Sequence, residues 1–102
     1  MTIYVMTSAD FPNTDAAQRQ KIHQCLENKL WHKVQNIGTD ISSVWWAKFD
    51  NINDYEEAFQ DTIKDFTNCS KPYSEPVLAL QTGFAKPVFH NCLKDETSNK
   101  PR

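Results

Sequence analysis

The sequence predicts an α+β sandwich, in which one antiparallel sheet carries two helices on one of its faces. Three observations lead to this fold class. The chain has 102 residues, which is the length of one domain. Strand-like and helix-like segments alternate in the order β-α-β-β-α-β. Only 2 residues are Gly, which argues against a loop-rich chain.

The first strand and the first helix are separated by a clear break. The stretch "TIYVMTS" (Thr2–Ser8) is rich in strand-forming residues. Pro12 then disfavours helix at the residue before it, and Asn13 or Thr14 is suited to cap a helix. From Asp15 to about Leu30 the pattern predicts a helix, because apolar residues recur every four positions, at Ile22, Leu26 and Leu30.

A hairpin and a second helix follow. "WHKVQNIGTDISSVWWAKF" predicts two strands around a turn at residues 38–40, and Val, Trp and Phe make the second strand the stronger one. Asn53 and Glu56 have the spacing of a capping box at the start of the next helix. That helix carries an apolar stripe, which we expect to face the core: Tyr55, Phe59, Ile63 and Phe66, with Ala58 and Thr62.

The last third of the chain completes the pattern. "VLALQTGF" (Val77–Phe84) predicts a fourth strand, and "VFHN" (residues 88–91) predicts a short fifth strand at an edge, because the preceding Pro87 cannot donate to a ladder. Residues 94–102 lack apolar side chains and are expected to form a flexible tail. The element order therefore predicts a ferredoxin-like domain over residues 1–93.

Two adjacent tryptophans raise the question of association. Trp45 and Trp46 lie in a predicted strand, where neighbouring side chains point to opposite faces of the sheet. One face packs on the helices, so the other face carries a Trp and large apolar neighbours. We expect these residues to form an interface between two copies, through the sheet face or an edge: Tyr4, Met6, Trp45, Trp46, Leu78, Leu80, Phe84 and Phe89. The alternative is that residues 84–93 fold back over this face within one chain.

Composition and charge limit the partners and the cellular compartment that we expect for this protein. The formal charge of −2 gives no general attraction to nucleic acid, although it leaves room for a local basic patch. The chain reaches Asp10 before a long apolar run can form, and no stretch approaches the roughly 20 apolar residues that span a bilayer. We therefore expect a cytoplasmic protein with no membrane partner. In that compartment Cys25, Cys69 and Cys92 are expected to remain thiols.

Few residues have the spacing of a chemical site. Asp10, just after the first strand, is the one candidate for catalysis, where a symmetric dimer would bring two copies together around a metal. The spacing of His23 with Cys25, and of His90 with Cys92, does not make a metal site, so we expect none. The basic run of Arg19, Lys21, Lys29 and Lys33 is interpreted as a solvated helix face.

Two resemblances extend these expectations. "IYVMTSADF", a helix, and a hairpin ending in "SSVWWAKF" resemble the small CRISPR-associated Cas-two family, in element order more than in identities. That resemblance implies a ferredoxin-like dimer associated with nucleic acid, with a metal-linked Asp ending the first strand. Here Ser8 stands near that place, and Asp10 comes two residues later. "WWAKFDNINDYEEAFQDTIKDF" is similar to a passage of the dimeric α+β-barrel monooxygenases and isomerases, which implies a small-molecule pocket at joined sheet faces.

Three functional interpretations remain open. The favoured one is a small non-enzymatic module that forms homodimers and binds a protein or nucleic-acid partner, without a cofactor. The second is a Cas-two-like metal-dependent nuclease that uses Asp10 and Mg²⁺. The third is a small-molecule enzyme of the α+β-barrel type, with a pocket lined by Trp45 or Trp46.

Overall fold

The computed structural model describes residues 1–38 and 42–89 and confirms the ferredoxin-like fold class. The elements follow in the predicted order, with these bounds: β1 (Ile3–Asp10), α1 (Ala16–Asn28), β2 (His32–Gly38), β3 (Ser42–Phe49), α2 (Tyr55–Ser70) and β4 (Val77–Gly83). The four strands form one sheet in the order β2-β3-β1-β4, and all neighbours are antiparallel. Both helices contact the sheet, and the core lies between these two layers.

Alternation along the two central strands separates the two faces of the sheet. On β1, the alternate residues Ile3, Val5, Thr7 and Ala9 are buried, while the residues between them, Tyr4, Met6 and Ser8, are half-buried or exposed. On β3, Trp45 and Ala47 are buried and pair with β1 residues of the same face. The helices cover this face. We call the other one the open face.

α1 is shorter than predicted at its C-terminal end. It is capped by Asp15, not by Asn13 or Thr14: the Asp15 carboxylate accepts from the Gln18 backbone N–H at 2.8 Å, and the Gln18 side chain accepts from the Asp15 N–H. Leu30 was expected on the buried stripe but is 75% exposed. It follows the helix in a left-handed conformation (φ 69°), which turns its side chain to solvent and leads the buried Trp31 into the core.

The buried face of α2 differs from the predicted stripe. Ala58, Thr62, Phe66 and Cys69 face the core, whereas Tyr55 and Ile63 are exposed and Phe59 is half-buried. The small residues allow close approach to the sheet, and the buried Thr62 hydroxyl is satisfied by donating to the Ala58 carbonyl at 2.7 Å. The cap is also one residue later than predicted, because the Asp54 carboxylate accepts from the Glu57 N–H.

A disulfide joins the two helices. Cys25 of α1 and Cys69 of α2 are bonded, with their Cα atoms 5.6 Å apart and a sequence separation of 44. The expectation that both remain thiols is wrong, because packing of the two helices brings together cysteines whose spacing suggests no pair. Cys92 lies outside the described residues. Such a bond is typical of oxidising compartments, so it does not support the predicted cytoplasmic location.

The segment after β4 is not a strand where the structure describes it. Residues 84–89 have irregular backbone, so the predicted fifth strand is absent from the part of it that is described, and residues 90–91 lie outside that part. The predicted tail, residues 94–102, also lies outside it. Within residues 1–38 and 42–89, no helix is both long enough and apolar enough to span a membrane.

Candidate functional site

The two tryptophans occupy opposite faces of the sheet, as strand geometry requires. Trp45 is fully buried under the helices, where its indole N–H donates to the Ser43 hydroxyl at 2.8 Å and its ring contacts Phe66 edge-on. Trp46 is half-buried on the open face. Trp45 is therefore not an interface residue of this face, and its role is to fill the core.

Two leucines of the predicted interface also belong to the helix-covered side. Leu78 pairs with the buried Ala9 and packs against the core. Leu80 pairs with Thr7, which is buried on the same side, although Leu80 also borders a hollow on the open face. The interface expected from sequence is thus reduced on this face, because β4 presents its smaller residues, Ala79 and Gln81, to the open side.

A cluster of rings and one cation surrounds Trp46. The His32 ring of β2 stacks on it, with centroids 4.4 Å apart and an interplanar angle of 28°. Tyr4 of β1 lies 6.3 Å away, and the Lys86 ammonium stands 4.9 Å above the ring of Trp46. We call these four residues the Trp46 cluster. His32 and Lys86 are exposed, so the cluster is accessible from solvent.

The chain after β4 covers part of the open face. Phe89 borders a hollow of about 330 Å³ together with Met6, Ser8 and Val44, and Pro87 borders a second one beside Tyr4. The self-covering alternative therefore holds in part for the described residues. The cover is incomplete, however, since Val88 is 92% exposed. Neither Trp45 nor Trp46 borders the larger of these two hollows. An enzyme pocket at joined sheet faces would need a second copy and stays a prediction.

The outer edge of the sheet at β4 carries a second apolar surface. Tyr55 and Phe59 of α2 contact each other edge-on, and Tyr55 and Phe84 border one hollow at the end of β4. Ile63 continues this row one turn further along α2. We call this set the α2 strip: Tyr55, Phe59, Ile63 and Phe84. The sequence pattern placed three of these residues in the core, so their exposure was missed.

Among the described residues of one protomer, Asp10 does not belong to a group of side chains that could hold a metal. It is exposed at the end of β1, where its register partners are Ser42 and Val77. No group of three or more His, Cys, Asp or Glu side chains that could hold a metal is found among residues 1–38 and 42–89. The nuclease interpretation would therefore require ligands from elsewhere.

The comparisons with known proteins show a likeness of fold. No family model matches the chain, and no curated protein matches it. Among solved structures, it is similar to a dimeric ferredoxin-like protein from an uncultured marine organism. The two chains are 13% identical, with a TM-score of 0.46 over 84% of this chain and 98% of that one. We draw no functional argument from this likeness.

Proposed function

We propose that the protein is a dimerising module in which the β4 edges of two copies pair. The observation that carries the proposal is that β4 is an edge strand with no hydrogen-bonded neighbour on its outer side among residues 1–38 and 42–89. It has seven residues, "VLALQTG", with no charged residue, no Pro and unbroken register against β1. Natural edge strands of this length are usually blunted by such features, because their free N–H and C=O groups template pairing with another chain.

The α2 strip supplies apolar surface beside this edge. Phe84 is 78% exposed and Tyr55 is 59% exposed. Aromatic side chains have areas of about 150–250 Å² each, so the strip presents on the order of 400 Å². A patch of about 300–600 Å² is the largest on a typical monomer and is often functional. With both copies and both strand backbones included, the interface approaches the roughly 1,000 Å² of a specific contact.

Sedimentation of the wild type and two charge variants tests the dimer. We expect the wild type to have the mass of two chains, and Ile63→Asp with Phe84→Asp to have the mass of one chain while staying folded. Val88→Asp is the control, because it places a negative charge on another exposed apolar side chain, on the segment that partly covers the open face and outside the α2 strip. A monomeric wild type would refute the dimer, and dissociation by Val88→Asp alone would move the interface to the open face.

The second part of the proposal is that the open face binds single-stranded nucleic acid. Tyr4 and Trp46 stand on the two central strands, the position from which sheet aromatics stack on unpaired bases. Lys86 lies over the ring and would move to a phosphate, since base stacking on an aromatic ring is stronger than an exposed cation–π contact. The acidic side chains of α2 belong to the helix layer, on the other side of the sheet.

Fluorescence titration with unstructured oligonucleotides tests this binding. Trp46→Ala should weaken it about 5- to 150-fold, the range for one stacked base. Few cations border the face, so the slope of log affinity against log salt should be shallow, about −1 for one or two phosphates. Leu30→Ala, an exposed apolar side chain outside both the α2 strip and the open face, serves as the control. Binding that Trp46→Ala leaves unchanged would contradict this part without affecting the dimer.

A further inference from the structure

A small polar hollow lies between the first two turns of α1 and β2. It measures about 170 Å³ and is lined by Ala16, Arg19, Gln20, His23 and Lys33. The helix residues come from one side of α1. Lys33 reaches the same place because it pairs with the buried Trp45 and so shares the helix-covered face of the sheet. The structure thus joins residues that the sequence presented as a solvated basic run.

Arg19 is held in place at this hollow. Its Nη1 donates to the Thr14 backbone carbonyl, and the Thr14 hydroxyl accepts from the same nitrogen at 3.3 Å. Its Nε is buried and has no hydrogen-bond partner among the described residues. Leaving a charged group's donor buried and unsatisfied is costly, so an acceptor in the hollow would be favoured.

The charged side chains that line the hollow are all positive. Two permanent cations, Arg19 and Lys33, border it, together with the His23 imidazole and the Gln20 amide, and no carboxylate does. Within residues 1–38 and 42–89 the ion pair that forms is between Lys48 and Asp50, so neither cation is neutralised by a described acidic residue. Cations that converge without a counter-charge favour an anion between them.

We propose that this hollow binds a single oxyanion, of which a phosphate group is the best fit. Arg and Lys bind phosphate oxygens by charge-assisted hydrogen bonds, the first as a planar fork and the second as a point charge. The volume is about that of six waters and below the roughly 300 Å³ at which pockets enclose whole organic ligands. The site therefore takes inorganic phosphate or one terminal phosphoryl group. It does not depend on the dimer or on the open face.

Equilibrium binding of radiolabelled inorganic phosphate to the full chain tests the site, with unlabelled acetate and a phosphomonoester as competitors. We expect saturable binding of one phosphate per chain. Lys33→Gln should weaken it about 10-fold or more, the effect of losing one charge-assisted hydrogen bond. Competition by the phosphomonoester would indicate that the site accepts a phosphoryl group as well as the free ion, whereas stronger competition by acetate would overturn the preference for phosphate.

A pair of matched variants separates the site from general electrostatics. Gln20→Glu places a carboxylate at the hollow and should weaken phosphate binding at least about 10-fold. Gln24→Glu adds the same charge one turn further along α1, where Gln24 is exposed and does not line the hollow, and should leave binding unchanged within about twofold. Thermal unfolding checks that both variants fold. Absent saturable binding, or equal loss in both variants, would overturn the proposal.

Discussion

The two edge strands of the sheet, β2 and β4, have the same length but differ in the features that prevent pairing with another chain. β2 has seven residues, begins with His32 and Lys33, and departs from regular register between Lys33 and Gly38. β4 also has seven residues but has neither a charge nor a register shift. Charges and bulges are the features that keep an edge strand from pairing with another chain. The β2 strand therefore has features that oppose pairing with a second chain, whereas the β4 strand does not.

The helix layer shows the same difference beside each edge. Near β2, Trp31 is buried, and its indole N–H donates to the Asp65 carboxylate of α2 at 3.0 Å. Near β4, Tyr55 and Phe84 of the α2 strip are exposed, and Phe59 is half-buried. One side of α2 is therefore covered and hydrogen-bonded to Trp31, next to β2. The side next to β4 carries apolar side chains that are in part exposed. This asymmetry indicates that assembly, if it extends the sheet, proceeds from β4.

The largest effect is expected for the disulfide, which joins the two helices above the sheet. Replacing Cys25 and Cys69 together by Ala should lower the free energy of unfolding by about 4 kcal/mol, the chain-entropy value for a closed loop of this length. Urea denaturation of the oxidised wild type, the double variant and a Cys92→Ala control measures it. A loss below about 1 kcal/mol would show that the bond contributes little.

The next largest effect tests the edges directly. Ala79→Lys with Gln81→Lys puts charges on the bare β4 edge, where both residues are exposed, and should raise the dimer dissociation constant at least about 100-fold. Gln35→Lys adds charge at the exposed surface of the β2 edge and should leave the constant unchanged. Sedimentation at a series of concentrations gives both values. Equal effects at the two edges would remove the contrast between them.

A smaller effect is expected on the β2 side. Asp65→Ala leaves the buried Trp31 indole N–H without its acceptor and should destabilise the fold by about 1–2 kcal/mol. Asp61→Ala, an exposed carboxylate one turn earlier on α2, should cost less than about 0.5 kcal/mol. Neither should alter the mass of the dimer. If the two variants unfold alike in a thermal scan, the hydrogen bond does not stabilise this side.

The smallest effect concerns the first turn of α2, at the base of the α2 strip. Asp54→Ala removes the cap that accepts from the Glu57 N–H at 2.9 Å and should cost about 1 kcal/mol. Asn53→Ala tests the capping box that the spacing predicted, and it should have less effect, because the Asn53 side chain is not the cap. Chemical denaturation ranks the two variants. A larger loss at Asn53 would favour the sequence-based assignment.

Element order was predictable because alternation of strand and helix patterns depends on local residues. The pair of tryptophans illustrates this: neighbours on a strand must diverge, so one had to face outward. The sequence did not decide which one. That choice depends on Trp45 fitting between α1, α2 and the sheet, which is a property of packing across elements.

The buried face of α2 was predicted only in part, for a physical reason. Of the predicted stripe, Ala58, Thr62 and Phe66 are buried, whereas the large residues Tyr55 and Ile63 are exposed. Cys69, which the pattern did not include, is buried as well, and the small side chains let α2 approach the sheet and reach Cys25 of α1. The cost of burying the Thr62 hydroxyl is offset by a bond to the helix backbone, which hydropathy does not register. The α2 strip and the hollow between α1 and β2 both depend on such contacts between elements.

The covalent link between the helices also changes what a protease would leave behind. Any single cut in the 44-position interval from Cys25 to Cys69 breaks the backbone but leaves both fragments attached to each other. Such a nicked chain would migrate as one band on a gel without reductant and as two bands with it. A cut between Cys25 and Cys69 therefore releases no fragment while the disulfide is intact, whereas a cut outside this interval does.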